Sequence, residues 1–215
     1  MTQKAEIALE QRAQSQNRLS SPSAGRNRQV IARTLAEILP ERARVFEIAS
    51  GTGEHALSAV TQRPDLTWQP SEADAQSRQS VDAWADEASG KIAPCLDIDV
   101  TRPDWAKEFS AFDALFCANM IHIAPWAACV GLFQGGAVLL AEGGLLCLYG
   151  PFLEGDETAA SNLDFDQSLK SRNTAWGVRA LDEVVELAAQ HGLDLERRIA
   201  MPANNQMLVF VKRAP

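Results

Sequence analysis

One segment of the chain combines a strand, two glycines and a helix start at a spacing that suits a nucleotide-like ligand. It reads Val45-Phe46-Glu47-Ile48-Ala49-Ser50-Gly51-Thr52-Gly53-Glu54-His55-Ala56. A strand that enters a Gly-x-Gly turn and then a helix leaves bare backbone amides beside whatever lies across the strand ends. Gly51-x-Gly53-x-x-Ala56 fits the looser dinucleotide fingerprint, in which a pyrophosphate sits on the helix N-terminus. No lysine with a following serine or threonine comes after the glycines, which excludes a P-loop.

Glu47, four positions before Gly51, favours a cationic ligand over a dinucleotide pyrophosphate at this turn. A carboxylate inside the end of a strand is costly unless it has a cationic or hydrogen-bonding partner. S-adenosyl-L-methionine (SAM) has no phosphate and carries a sulfonium and an ammonium, so it suits an acidic strand end better than a pyrophosphate does. We therefore predict a SAM site with Glu47 beside the methionine half, formed by Ala49, Ser50, Gly51, Thr52 and Gly53.

Two further acidic positions follow the next predicted strands. Glu72 stands 19 residues after Gly53, where a carboxylate can accept hydrogen bonds from both ribose hydroxyls, and Asp74 is its rival for that role. Asp97 follows the third strand, where a side chain can accept from the adenine amino group. Each position alone is a weak signal because acidic residues are common on protein surfaces. Three carboxylates at successive strand ends together favour a nucleoside ligand.

Strands and helices alternate around these residues, which predicts an α/β, doubly wound, mostly parallel sheet. The predicted strands are 44–49, 66–69, 92–96, 112–118, 145–149, 195–200 and 207–212, of which the last two form an antiparallel C-terminal hairpin. Helices are predicted from Ser23 to Pro40, from Glu54, over 75–87, around 130–139 and over 181–190. Residues 150–178 are predicted to form an elaborated loop. Residues 1–22 are expected to be a polar, loose or partly helical leader that could cap the cofactor, and 23–215 one domain.

Composition excludes several classes of function. The chain has 20 Lys and Arg against 28 Asp and Glu, a formal net charge of −8, so nucleic-acid binding through a basic field is not expected. No apolar run reaches the roughly 18 residues of a membrane helix, and the first twenty residues lack a signal-peptide core. The four cysteines and three histidines show no metal-binding or redox spacing, so we expect reduced thiols, no metal and a cytoplasmic location.

These residues resemble the class I SAM-dependent methyltransferases. More narrowly, the chain resembles the uncharacterised methyltransferase-like family numbered twenty-six, once catalogued only as a domain of unknown function, from about Asn17 onward. Besides the glycine segment, the marks are Ser21-Pro22-Ser23-Ala24-Gly25-Arg26-Asn27, Trp68-Gln69-Pro70-Ser71, Asn119-Met120-Ile121-His122-Ile123-Ala124-Pro125-Trp126, Tyr149-Gly150-Pro151-Phe152, Ser161-Asn162, Phe165-Asp166, Trp176-Gly177-Val178-Arg179 and Met201-Pro202-Ala203-Asn204-Asn205. Glu72 replaces an expected aspartate, and Ala180 an expected acidic residue for which Asp182 is a stand-in. The resemblance implies a seven-stranded sheet with SAM across its carboxyl edge and S-adenosyl-L-homocysteine as product.

The residues that follow the fourth strand would face the methyl group in this fold. Methyl transfer from a sulfonium is an in-line displacement, so the protein must mainly align the acceptor with the methyl group. His122 is the candidate general base, and Asn119 the candidate contact to the cofactor or the acceptor. Alternatively, His122 caps a helix or satisfies a buried amide. Arg26, near the start of the first helix, would reach the methionine carboxylate if the leader folds over the cofactor.

An acceptor site is predicted at the end of the fifth strand and in the long loop beyond it. Tyr149, Phe152 and Trp176 could hold a planar or apolar acceptor, and Arg179 a carboxylate or phosphate. Alternatively, the aromatic side chains fill a small core under the loop. Asn204 and Asn205 could contact the acceptor or simply form a hairpin turn.

The function predicted from these residues is methyl transfer from SAM to a small-molecule acceptor. Two alternatives stay open. An NAD-dependent oxidoreductase would fit the glycine pattern, although Tyr149, the only tyrosine, has no lysine four residues later. A catalytically silent SAM-binding module would have the same fold.

Overall fold

The structure of the protein is a computed structural model, and it describes residues 12–15, 17–109 and 111–213. The strands are β1 (Ala13–Ser15), β2 (Arg18–Ser20), β3 (Arg44–Ile48), β4 (Thr67–Ser71), β5 (Phe112–Ala118), β6 (Leu140–Pro151), β7 (Leu193–Met201) and β8 (Asn205–Lys212). The α-helices are α1 (Pro22–Ile38), α2 (Glu54–Gln62), α3 (Ala75–Ala85), α4 (Trp126–Leu139), α5 (Ala160–Arg172) and α6 (Leu181–Gln190). None of the helices in these ranges is both long and apolar enough to cross a membrane.

The main sheet has six strands in the order β4-β3-β5-β6-β8-β7. The first four strands are parallel, β8 runs antiparallel to β6, and β7 antiparallel to β8. One face of the sheet packs against α1 and α2, and the other against α4 and α6. This confirms the predicted α/β class, the mostly parallel sheet and the antiparallel C-terminal hairpin. The carboxyl ends of β3, β4, β5 and β6 therefore meet at one edge.

The predicted third strand, over 92–96, does not form, so the main sheet of the described residues has six strands instead of the expected seven. The segment makes only two isolated bridges to β4, Ile92 with Trp68 and Leu96 with Ser71. Pro94 in the segment and Pro70 in β4 have no N–H to donate, so a continuous ladder between the two stretches is interrupted. The segment still lies against the β4 edge, because the Leu96 amide donates to the Pro70 carbonyl at 3.0 Å.

The predicted loop over 150–178 contains helix α5. The buried face of α5 carries Asn162, Asp166 and Leu169, at i, i+4 and i+7. Two of these three residues are polar, so the apolar period that identifies a helix in a sequence is missing. The two polar residues are buried because they are hydrogen-bonded to the backbone. The Asn162 amide donates to the Phe152 carbonyl at 3.3 Å, and an Asp166 carboxylate oxygen accepts from the Val178 N–H at 2.9 Å.

The described part of the leader is a short antiparallel hairpin, β1 with β2, instead of a loose or partly helical segment. It packs on α3: the Leu19 N–H donates to the Ser80 hydroxyl at 2.7 Å, and the Trp84 indole donates to the Leu19 carbonyl at 2.9 Å. The guanidinium of Arg18 lies 5.0 Å from the Trp84 ring. Residues 1–11 of the predicted leader lie outside the described residues. The hairpin thus ends beside the helix that follows β4, close to the carboxyl edge.

Candidate functional site

The turn between β3 and α2 has three residues with positive φ, Ala49 at 56°, Gly51 at 59° and Gly53 at 95°. The two glycines serve different purposes. A Cβ on Gly51 would meet no atom within 4 Å, whereas one on Gly53 would lie 2.8 Å from the Cα of Val81 in α3. Gly53 therefore lets α3 pack against the turn, and Gly51 borders open space at the sheet edge.

Glu72 lies directly beside Gly51. One Glu72 carboxylate oxygen accepts from the Gly51 N–H at 2.9 Å, and the other accepts from the Asp74 N–H at 3.1 Å. Burial raises the pKa of Glu72, against the opposing effect of these hydrogen bonds. The Asp74 carboxylate instead caps α3 by accepting from the Ser77 N–H at 2.8 Å. Of the two rivals for the ribose, Glu72 is the one whose carboxylate lies against the glycine turn.

Glu47 is buried at the end of β3, with 2% of its surface exposed. It lies in register between Pro70 of β4 and Phe116 of β5. The Trp68 indole N–H donates to its carboxylate at 2.9 Å. Burial raises the pKa of Glu47 to about 7, although hydrogen bonds from Trp68 and Ser50 act in the opposite direction. A carboxylate with this pKa changes its charge near neutral pH.

Glu54 ties the start of α1 to the glycine turn. Its buried carboxylate accepts from the Ser21 N–H and from the Thr52 hydroxyl, each at 2.9 Å, and lies 3.4 Å from the Arg28 guanidinium. The Thr52 carbonyl in turn accepts from the Ser80 hydroxyl of α3 at 2.8 Å. These contacts bring the first turns of α1, with exposed Arg26, next to the carboxyl edge.

Asp97 lies just beyond the bridge between Leu96 and Ser71. Its carboxylate is largely exposed and lies 3.1 Å from the guanidinium of Arg78 in α3. It is thus the most exposed of the three predicted carboxylates, Glu47, Glu72 and Asp97.

Asn119 and His122 form the tight turn after β5. Asn119 has a φ of 59°, and its N–H donates to the Tyr149 carbonyl at 2.8 Å. His122 is fully buried, its Nδ1 accepts from the Arg179 N–H at 3.3 Å, and its carbonyl accepts from the Gly177 N–H at 2.9 Å. Burial lowers the pKa of His122 to about 3, with the Arg179 charge adding to the effect. The imidazole therefore joins the β5 end to the segment before α6 and is neutral near pH 7.

Three residues predicted for the acceptor wall contribute to packing. Phe152 is fully buried and meets the His122 ring edge to face, with ring centroids 5.4 Å apart. Trp176 belongs to a small buried cluster with Leu169 and Val178. The Arg179 guanidinium donates to backbone carbonyls of Ile121, Ala124 and Ala175, at 2.8, 2.6 and 3.1 Å. Trp176 thus lies in a small cluster under the loop, whereas Phe152 belongs to the main core, and the acceptor role of these residues stays a prediction.

Asn204 and Asn205 close the hairpin between β7 and β8. Ala203 and Asn204 have positive φ values of 58° and 57°, which asparagine tolerates well. The Asn204 side-chain amide donates to the Ser161 hydroxyl at 2.8 Å, and that of Asn205 donates to the Pro202 carbonyl at 3.0 Å. As placed, the pair shapes the turn and ties it to α5.

His55 is a polar residue at this edge that the sequence did not identify as a candidate. Its ring meets Phe116 edge to face, with centroids 6.0 Å apart, and its Nδ1 is buried without a partner among the described residues. The fully buried Tyr149 hydroxyl is in the same situation. The sequence could have identified His55 by its position, because it lies in the first turn of α2, two residues after Gly53 of the glycine turn.

Residues 18–212 match a family described as "Protein of unknown function (DUF938)". The chain is also similar to solved structures that include an O-methyltransferase family protein from Burkholderia thailandensis, with a TM-score of 0.75, 15% identity, and 89% of this chain and 57% of that one covered. The pyocyanin biosynthetic protein PhzM gives a TM-score of 0.72 at 17% identity, with 89% of this chain and 59% of that one covered. CalO1, a methyltransferase in calicheamicin biosynthesis in its SAH-bound form, gives a TM-score of 0.74 at 16% identity, with 88% of this chain and 54% of that one covered. The chain spans less than two thirds of each of these proteins, and identities this low show the shared fold, that of class I methyltransferases.

Proposed function

Since the chain belongs to the DUF938 family, whose function is unknown, we propose from its site that it is a SAM-dependent methyltransferase for a small-molecule acceptor. The observation that carries the proposal is the edge where Gly51 borders open space, Glu72 accepts from its amide, and Glu47 lies buried alongside. Acidic groups at this edge suit a cationic nucleoside better than they suit a pyrophosphate. The family would then correspond to the methyltransferase-like family that the sequence resembles.

The residues at the edge fit SAM. When bound, SAM supplies a methyl group on a sulfonium, which is open to in-line displacement. In this proposal the carboxylate of Glu47 neutralises the ammonium of the methionine half, and Ser50, Gly51 and Thr52 surround that half. Glu72 accepts hydrogen bonds from the ribose hydroxyls. These replace the hydrogen bond that Glu72 accepts from the Gly51 N–H in this structure. Asp97 lies toward the adenine, and Arg26 toward the methionine carboxylate.

The acceptor side is assigned to the end of β5. Asn119 lies there, in the turn after β5, with a φ of 59°. We assign His122 a positioning role, because its Nδ1 is already used by the Arg179 N–H and its pKa is lowered to about 3. A group with that pKa is a poor proton acceptor at neutral pH. In this proposal, alignment of the acceptor with the methyl group contributes more than proton removal by the chain.

The proposal is tested by thermal unfolding and calorimetry with SAM, S-adenosylhomocysteine and NAD. A ligand at one hundred times its dissociation constant adds about 2.7 kcal/mol of stability. We expect that gain with SAM and S-adenosylhomocysteine and none with NAD. Stabilisation by NAD alone would instead support the oxidoreductase. Turnover of SAM to S-adenosylhomocysteine with a panel of small hydroxyl, thiol and amine compounds then separates an enzyme from a silent SAM-binding module.

A further inference from the structure

Two side chains of β4 each donate a hydrogen bond to Glu47 of the neighbouring strand β3. The Trp68 indole N–H donates to the Glu47 carboxylate at 2.9 Å, and the Ser71 hydroxyl donates to the Glu47 carbonyl at 2.7 Å. Both donors belong to the segment Trp68-Gln69-Pro70-Ser71, to which the proposed function gives no role. The segment therefore holds both the side chain and the backbone of one residue at the cofactor edge.

The indole reaches the carboxylate along one face of the sheet. Glu47 is in register with Pro70, and Trp68 stands two residues before Pro70 in β4. Side chains two residues apart in a strand lie on the same face, and diagonal neighbours on adjacent strands are within reach of an aromatic side chain. On the other side, Phe116 of β5 is in register with Glu47, and its ring centroid lies 6.1 Å from that of Trp68. The Glu47 carboxylate thus shares this face with two aromatic rings.

Trp68 is itself fixed by contacts on its backbone and its ring. Its N–H donates to the Lys91 carbonyl, and its carbonyl accepts from the Ala93 N–H, each at 2.9 Å. Its side chain is buried in the same cluster as Phe116. A donor that is already ordered by the fold confines the carboxylate oxygen that accepts from it, with little further loss of side-chain entropy.

An indole N–H stabilises a carboxylate without neutralising it. It only donates, and it carries no charge. Burial raises the pKa of Glu47 to about 7, and the hydrogen bond from Trp68 opposes that effect by stabilising the ionised form. A lysine or arginine in the place of Trp68 would cancel the charge and compete with the ammonium of a ligand. The Trp68–Glu47 pair therefore suits a cation that comes from outside the chain.

Neighbouring ionisable groups do not supply that cation. Those on the described elements around Glu47 are Glu72 at the end of β4, Cys95 in the segment beside β4, Cys117 of β5, His55 of α2 and Arg28 of α1. Glu72 adds negative charge and raises the pKa of Glu47 further. The thiols and the imidazole are neutral near pH 7, because burial raises the pKa of each thiol and lowers that of His55 to about 4. Arg28 lies 3.4 Å from the carboxylate of Glu54 instead.

We propose that Trp68 is a positioning residue for the cofactor, whose indole N–H holds the Glu47 carboxylate as an anion for the ammonium of the methionine half. This inference rests on the proposed function, since it takes Glu47 as the partner of that ammonium. Trp68 acts through Glu47 and needs no contact with the cofactor. The role also accounts for a tryptophan beside a buried carboxylate at the end of a parallel strand.

The indole N–H reports on the pair in the wild-type protein by 1H–15N NMR. The Trp68 indole resonance should shift with pH around a midpoint near 7, as Glu47 ionises, and it is identified as the one whose titration disappears in Glu47→Gln. Saturation with S-adenosylhomocysteine should lower that midpoint by about one to two pH units, because the ammonium stabilises the anion. 5′-Methylthioadenosine, which lacks the amino-acid half, should leave the midpoint in place. An indole that does not titrate, or equal responses to the two ligands, would overturn the assignment.

Trp68→Phe removes the donor and keeps an aromatic ring. It should raise the midpoint of the pH dependence of S-adenosylhomocysteine affinity by roughly one to two units, which at pH 7 is about a 5- to 50-fold loss by calorimetry. Affinity for 5′-methylthioadenosine should not change. Equal losses for both ligands would show that Trp68 only packs and would refute its positioning role. If Trp68→Phe does not fold, the wild-type NMR titration decides the question.

Trp105→Phe is the matched control. The Trp105 indole also donates at 2.9 Å, but to the Gly131 carbonyl, and Trp105 packs on the other face of the sheet. The same substitution there should leave both the affinity for S-adenosylhomocysteine and its pH dependence unchanged. A shift of the midpoint in Trp105→Phe as large as in Trp68→Phe would refute a specific effect of the Trp68 N–H.

Failure of this inference is distinguishable from failure of the proposed function. Calorimetry on the wild-type protein comes first, and absence of S-adenosylhomocysteine binding there would overturn the proposed function and this inference with it. Saturable wild-type binding with an unchanged pH midpoint in Trp68→Phe would overturn the role of Trp68 alone and leave the proposed function standing.

Discussion

Replacing Glu47 with glutamine should stabilise the unliganded protein and weaken its affinity for S-adenosylhomocysteine. The substitution keeps the size of the side chain and an oxygen that can accept from the Trp68 indole, but it removes a charge that the fold buries at 2% exposure. The same charge is the proposed partner of the ligand's ammonium. Stability and affinity are therefore expected to change in opposite directions.

The magnitude follows from the pKa of Glu47, which burial raises from 4.5 to about 7. A difference of about 2.5 units at about 1.36 kcal/mol per unit corresponds to roughly 3 kcal/mol, to order of magnitude. Since the folded protein holds the proton more tightly than the unfolded chain, the contribution of Glu47 to stability is complete below pH 4.5 and is lost as the pH rises through about 7. The gain from Glu47→Gln should thus be near zero at pH 4 and up to about 3 kcal/mol at pH 8.

The assay compares urea unfolding of the wild type and Glu47→Gln at several pH values between 4 and 8. The difference between the two proteins isolates Glu47. His55 and His122 have pKa values lowered to about 4 and about 3, so they destabilise the fold as the pH falls, but they do so in both proteins. Calorimetry at pH 8 then measures S-adenosylhomocysteine affinity, which should fall at least tenfold because hydrogen bonds to charged groups are worth about 1.5–3 kcal/mol.

Glu54→Gln is the matched control, because Glu54 is also buried, at 4% exposure, but its carboxylate has donors from Ser21, Thr52 and Arg28. Removing that charge should destabilise the protein at pH 8 instead of stabilising it. If Glu47→Gln lost stability like the control, the reasoning from burial would be refuted. If it gained stability with unchanged S-adenosylhomocysteine affinity, Glu47 would not contact the methionine half.

Three further predictions concern the same edge. Gly51→Ala should lower the affinity for S-adenosylhomocysteine, measured by calorimetry, because the new Cβ enters the open space. Gly192→Ala is the control: Gly192 has a similar positive φ of 73° and no atom near its Cβ, so the variant should lose similar stability and keep full affinity. Glu72→Gln should reduce affinity by about one to two decades, while Asp74→Asn, which preserves the helix cap, should change it little; the reverse result would reassign the ribose contact. The imidazole of His122 should stay neutral to about pH 4 in an NMR titration, since its pKa is lowered to about 3, and an inflection near pH 6.5 would contradict the buried, positioning role.

Elements with a strong apolar pattern were predictable from the sequence. The observed β5, Phe112–Ala118, and α6, Leu181–Gln190, have the predicted bounds. A strand covered on both faces reads as a continuous apolar run, and a helix with one buried stripe repeats its apolar residues at helical spacing, so both patterns are local. Helix α5 was not predictable in this way. Its buried Asn162 and Asp166 are satisfied by backbone groups of Phe152 and Val178, which the local sequence does not reveal.

The sequence by itself determined which residues meet at the carboxyl edge, because alternating strands and helices place Glu47, Gly51 and Glu72 at the ends of neighbouring parallel strands. Their roles in binding stay predictions. Only the tertiary structure decided the chemical state of each group, because burial and partners come from distant parts of the chain. The pKa of Glu47 depends on how fully the neighbouring strands and helices exclude water from it. His122 acquires its partner from Arg179, 57 residues away, and that contact with its complete burial makes a candidate base into a neutral, packed imidazole.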